Sequence, residues 1–148
     1  MGTAAEAIAK LEYVIRVVDE LGDLPRRLAV AAAPEITKLQ RAQFTLGQDP
    51  YGRPWKSLAM ATLRRGRRPP PLTAETKQLR DGTDTIPMLA SRIGLRHRVM
   101  AAYGVHHQYG APRAHLPKRE ILPTRGLPES WRRVLDEQAK LLARRATL

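Results

Sequence analysis

At 148 residues, with 43% hydrophobic and 27% charged residues, the chain has the size and apolar content of one folded domain and lies outside the range of disordered segments. It contains no cysteine, which excludes disulfides, thiolate metal sites and cysteine nucleophiles. The formal net charge of +12 favours polyanions or acidic protein surfaces as partners without choosing between them.

The charge is unevenly spread. Residues 1–49 carry six basic against seven acidic side chains, residues 53–80 carry eight against the single Glu75, and residues 111–148 carry nine against four. The longest apolar stretch, residues 28–33, falls far short of the about 20 residues that span a bilayer. Glu6 and Glu12 stand where a signal peptide needs an apolar run, so neither a secretion signal nor a membrane anchor is expected, and the chain fits a reducing cytoplasm.

Thr3 followed by Glu6 is a capping-box pair, and Ile8, Leu11, Ile15 and Val18 recur at helical spacing, which predicts a helix over about residues 4–21. Gly22 is placed to end it, and Asp23 with Pro25 to start another that carries Leu28, Ile36, Leu39 and Phe44 and stops at Gly47. Pro34 predicts a kink or a division into two shorter helices. Residues 1–47 together are expected to form an antiparallel helical hairpin.

From 48 to 82 the pattern turns irregular. Asp49-Pro50 and Gly52 with Pro54 mark turns around Trp55, which reads as a core anchor, and residues 59–65 suit a short helix. The segment RRGRRPPP, residues 64–71, is expected to be an exposed, extended and mobile basic loop. Residues 83–93 and 95–103 are rich in Thr, Ile, Val and Met and predict two strands joined tightly at Gly94, the first an edge or bulged strand because of Pro87. Strands and loops extend to residue 126. Pro128 then suits the first position of a terminal helix whose Trp131, Val134, Leu135, Leu141 and Leu142 share one face, with Arg144 and Arg145 complementing its C-terminal dipole. The expected fold is a single α+β domain: N-terminal helical hairpin, small antiparallel sheet, long C-terminal amphipathic helix.

No enzyme constellation stands out. His97, His106, His107 and His115 fall in one stretch, but adjacent imidazoles point apart on either a helix or a strand, and no Asp or Glu occurs between Asp84 and Glu120 to complete a metal site or supply a general base. Nucleotide-loop, GxSxG and HExxH patterns are missing. Neither a cofactor nor a metal is expected.

Four short signatures follow one another in the second and third parts of the chain. The first is DPYGRPWKSLAMAT, residues 49–62, in which Phe44, Asp49, Gly52, Trp55 and Leu58 match the pattern F, spacer, D-x-x-G-x-x-W-x-x-L. The second is a leucine followed by T-G-x-L, matched by Leu72, Thr76 and Leu79 with Lys77 in place of the glycine. The third, YGVHHQYG, places Tyr103, His107, Gln108 and Gly110 on Y-A-x-x-H-Q-x-G, with Gly104 where alanine is usual. The fourth, LPKREIL, sets Pro117, Arg119 and Leu122 on P-x-R-x-x-L. In this order the chain resembles the virion morphogenesis, or tail completion, family of Mu-like and related long-tailed bacteriophages. The resemblance implies an α+β fold, no enzyme activity, and assembly into a ring at the neck or tail end of the virion. It also implies other neck and tail proteins as partners, assembly in the host cytoplasm, and packaged DNA close by.

On this reading the partner interface falls on Tyr103, His107, Gln108, Tyr109 and Arg119, whose flat bodies and polar tips suit a wet subunit contact. The alternative is that Tyr103 and His107 close the core beneath a strand. Arg119 either bridges to a neighbour's carboxylate or caps the sheet locally. Arg64, Arg65, Arg67 and Arg68 are candidates for contact with DNA or an acidic partner, and a basic, non-specific nucleic-acid-binding module is the competing function.

Overall fold

The computed structural model describes residues 4–72 and 77–146. Its axis is a long helix, α2 (Leu24–Leu46), whose buried residues Ala29, Ala32, Ala33, Ile36, Gln40, Gln43 and Phe44 recur every three or four positions. That spacing lines one side of a helix, and the other elements pack against it. Before it runs α1 (Ala4–Gly22); after it come α3 (Met60–Arg64), α4 (Gln78–Asp81), β1 (Thr83–Leu89), β2 (Ile93–Val99), α5 (Gly104–Tyr109), a 3-10 turn at Pro112–Ala114, and α6 (Glu129–Ala146). The α+β class is as expected, with N-terminal helices, a small antiparallel sheet and a long amphipathic C-terminal helix. No helix among the described residues is long and apolar enough to cross a membrane.

The β1–β2 ribbon pairs Thr83 with Val99 through to Leu89 with Ile93 and lies on α2. Thr37 ties the two layers: its hydroxyl oxygen accepts from the Thr85 amide at 2.9 Å while donating back to the Ala33 carbonyl. α6 covers another side of α2. Its Trp131, 1% exposed, packs with Ala32 and Ile36, and Leu39, Leu95, Val134 and Leu135 close the cluster. A second cluster, Phe44, Trp55, Leu79 and Ile121, sits at the C-terminal end of α2, with Leu72, Val99 and Ala101 against it. α2 stops where Gly47 takes φ 65 and returns its amide to the Gln43 carbonyl. A Cβ there would lie 2.7 Å from the Pro70 ring, so glycine is required for space as well as for backbone.

Several expectations are corrected. The hairpin does not form: Gly22 lacks a positive φ, Asp23 stays helical at φ −86 and ψ −4, the Asp23 amide bonds the Asp19 carbonyl, and the Asp23 carbonyl accepts from Arg27. The helical path therefore runs through the junction, and α1 prolongs α2 instead of folding back on it. Its Ile8, Leu11, Val14, Ile15, Val18 and Leu21 stay exposed. Pro34 lies inside α2 and neither divides nor ends it. Pro34 and Val30 lie on the exposed side of α2, where the carbonyl that the proline ring leaves unbonded is not sealed in the core.

The hairpin turn of the sheet spans residues 90–92, and Gly94 lies within β2 opposite Met88. Leu141 is 48% exposed, off the buried face of α6, while Leu142 is buried. Pro128 precedes α6, and its carbonyl accepts from the Trp131 and Arg132 amides. In the 64–71 segment the arginines and Pro69 are exposed, but Pro71 is buried and Leu72 turns the chain with φ 67, so the end of the proline run is packed and bent. Thr3, Glu75 and Thr76 lie outside the described residues.

Candidate functional site

The site grows from the turn that follows α2. Asp49 is buried and its Oδ1 accepts from the Tyr51 amide (2.9 Å) and the Arg53 amide (2.8 Å), while Gly52, at φ 83, donates to the Asp49 carbonyl. An aspartate that caps its own turn in this way needs no external partner. The turn delivers Trp55 edge-on to Phe44, ring centroids 5.5 Å apart, with its indole N–H on the Glu120 carbonyl at 2.9 Å. Trp55 is thus the core anchor that the sequence suggests.

Glu120 belongs to an irregular stretch held from three directions. Arg119 is 5% exposed; its guanidinium donates to the carbonyls of Lys56 (3.0 Å) and Ser57 (3.3 Å), and its amide donates to the His107 carbonyl (2.7 Å). It makes no ion pair among the described residues, and burial pushes its pKa down. Gln108, also buried, accepts from the amides of Ile121 and Leu122 through Oε1 and donates to the Leu122 carbonyl through Nε2. Gly110, at φ 80, lets the Lys118 backbone approach so closely that a Cβ would meet its nitrogen at 3.1 Å. Residues of the first, third and fourth signatures therefore meet in one polar-tied joint. Lys77 completes the picture at the second: where glycine was expected it takes φ 51, the left-handed conformation that glycine adopts without cost.

Beside this joint opens a cleft of about 770 Å³. Leu58, Leu72, Leu79 and Leu116 give it an apolar floor. Lys56, Arg67, Arg68 and His115 supply exposed basic or basic-capable groups, and Tyr103, His107 and Arg119 complete the wall. Tyr103 and His107 meet edge to face at 6.2 Å. Among the described residues the buried His107 Nδ1 has no hydrogen-bond partner, and burial, reinforced by Arg119 and His106, lowers its pKa and so favours the neutral ring. No carboxylate among the described residues lines the cleft. Its apolar lining, basic flank and lack of a described carboxylate make it complementary in character to an apolar surface edged with negative charge.

The candidate residues separate accordingly. Tyr103, His107, Arg119, Arg67 and Arg68 converge on the cleft, whereas Arg64 and Arg65 lie outside its lining. Gln108 faces inward as a clamp and is unavailable to a partner. Tyr109 is 70% exposed and is not part of the cleft lining. The Arg119 guanidinium fastens the residue 56–57 backbone and does not cap the sheet. Sequence reasoning missed Lys56 and His115, although the lack of acids from residue 85 to 119 pointed toward a basic wall. Among the described residues, no three His, Asp or Glu side chains gather as a metal site. No family model, curated protein or solved structure matches the chain.

Proposed function

We propose that this chain is a non-catalytic assembly protein of the head-to-tail junction of a long-tailed bacteriophage, a tail completion, neck or tail terminator protein working as a homo-oligomeric ring. The observation that carries the assembly part is α1, a 19-residue helix that touches α6 yet keeps Ile8, Leu11, Val14, Ile15, Val18 and Leu21 exposed among the described residues. Helices in proteins draw most of their stability from packing an amphipathic face, and exposed apolar stripes of this kind mark interfaces. The phage placement rests on the ordered signatures, whose residues meet in the joint beside the cleft. On this reading the protein resides in the virion at the neck or tail end, is assembled in the host cytoplasm, and has other neck and tail proteins as partners.

The test is genetic and visual. Disrupting the coding sequence in a phage that carries it is expected to leave separate heads and tails in electron micrographs, with the protein recovered from wild-type virions. Normal yields of complete virions without the protein would refute the reading.

The exposed Arg64, Arg65, Arg67 and Arg68 favour non-specific nucleic-acid binding as a second reading. Binding of duplex DNA that weakens steeply with salt, in a protein absent from virions, is the outcome that selects it.

A further inference from the structure

We infer that the cleft is the seat for helix α1 of a second copy of this chain. The inference rests on the assembly reading above and names the two surfaces that would build the ring.

The first observation is the shape of the stripe. At about 100° per residue, Ile8, Leu11, Val14, Ile15, Val18 and Leu21 fall within an arc of roughly 140°. These six side chains are between 42% and 62% exposed. Together they present on the order of 600 Å² of apolar surface, at the upper end for the largest patch on a monomer. Flanking polar surface brings this close to the roughly 800 Å² that each partner contributes to a stable interface.

The second observation is charge. In a chain of net charge +12, α1 is acidic, with Glu6, Glu12, Asp19 and Glu20 against Lys10 and Arg16. Glu12 and Asp19, seven residues apart, border the same edge of the stripe. Pairing α1 with another α1 matches them less fully: in an antiparallel pair like edges meet, and in a parallel pair they face the Val14 and Leu21 edge, where Lys10 stands alone against the two carboxylates. The cleft offers the complement, an apolar floor with Lys56, Arg67 and Arg68 at its side.

The third observation is position. α1 leaves the N-terminal end of α2, whereas the cleft adjoins the Phe44 cluster at the other end of that helix, about 35 Å away for 23 residues. A chain cannot fill its own cleft in this arrangement. Donor and acceptor surfaces are different patches on one molecule, which is the geometry of a head-to-tail contact that closes into a ring when the rotation permits.

The experiment uses the full chain and two variants in size-exclusion chromatography with light scattering at low ionic strength. One variant carries Leu11→Gln with Val18→Gln and keeps an intact cleft; the other carries Arg67→Glu with Arg68→Glu and keeps an intact α1. All substitutions are at exposed positions, and circular dichroism checks that both variants fold. Expected are association of the wild type, at least tenfold weaker association of each variant alone, and a 1:1 heterodimer, with nothing larger, when the variants are mixed. The inference is overturned if the wild type is monomeric, if either variant assembles like the wild type, or if the mixture stays monomeric. None of these outcomes touches the head-to-tail placement, which stands or falls with virion yield in the disrupted phage.

Discussion

Arg119 donates its guanidinium N–H groups to the carbonyl of Lys56 at 3.0 Å and to that of the following Ser57, from a side chain that is 5% exposed. A buried cation held by carbonyls alone is a tie between two loops, and cutting it leaves both carbonyls without a donor. Arg119→Ala is expected to lower the unfolding free energy by about 2–3 kcal/mol. A urea titration checks this through a lower midpoint with unchanged slope. Arg119→Lys should recover only part of the loss, because one ammonium cannot reproduce the planar fork. An alanine variant as stable as wild type would mean that the tie contributes nothing.

Two departures from the resembled signatures make opposite predictions. A Cβ on Gly104 would lie 2.5 Å from Val99 Cγ1 and 3.2 Å from Leu79 Cδ1, so Gly104→Ala should destabilise by about 1–3 kcal/mol through overpacking. Adding Val99→Ala should relieve the clash, at the expense of its own lost burial. Lys77 has φ 51, and Lys77→Gly should stabilise by about 0.5–1 kcal/mol, the left-handed penalty less the entropy of glycine. Thermal melts of the single variants should shift in opposite directions.

Stability should fall on mild acidification. His97 is lowered from its ordinary value of 6.5 by burial against the core, where its ring lies 4.8 Å from Trp131 and its Nδ1 meets the Thr85 hydroxyl. His107 is lowered in the same way. The folded state thus prefers both rings neutral, so their contribution is complete above pH 6.5 and is lost as pH drops through 6.5 toward the depressed folded values. Asp84, lowered chiefly by its hydrogen bond from Arg98, adds stability that is present above 3.8 and lost as pH falls through its folded value. Melting temperatures taken from pH 7.5 downward should fall, and His97→Gln with His107→Gln should flatten the first part of that fall. A melting temperature that rises on acidification would contradict this account.

Tyr109 is 70% exposed and lies off the cleft. Tyr109→Ala should change stability by no more than about 0.5 kcal/mol. In phage complementation the same variant is expected to leave heads and tails unjoined, since exposed tyrosines often carry interface energy. Normal virion counts would remove Tyr109 from the partner surface.

Local chemistry determined much of this protein by itself. The 3.6-residue recurrence of apolar side chains located α1, α2 and α6; Gly47 ended α2; Trp55 and Trp131 were recognisable as core; and the β-branched run from Thr83 predicted the ribbon. These features depend on neighbours within a few residues, so periodicity and turn chemistry expose them. Tertiary structure alone decided which stripe was covered. Ile8 to Leu21 and Leu28 to Phe44 show the same helical pattern, and a helical junction at Asp23 in place of a reversal leaves the first exposed while α6 and the sheet cover the second. The same holds at Arg119, whose partners lie 62 and 63 residues away, and at the cleft, whose floor joins Leu58, Leu79 and Leu116 from three separate elements or loops. A charge or an apolar side chain looks alike in sequence whether it meets solvent, a distant carbonyl or another subunit; what it faces is set by how remote segments pack.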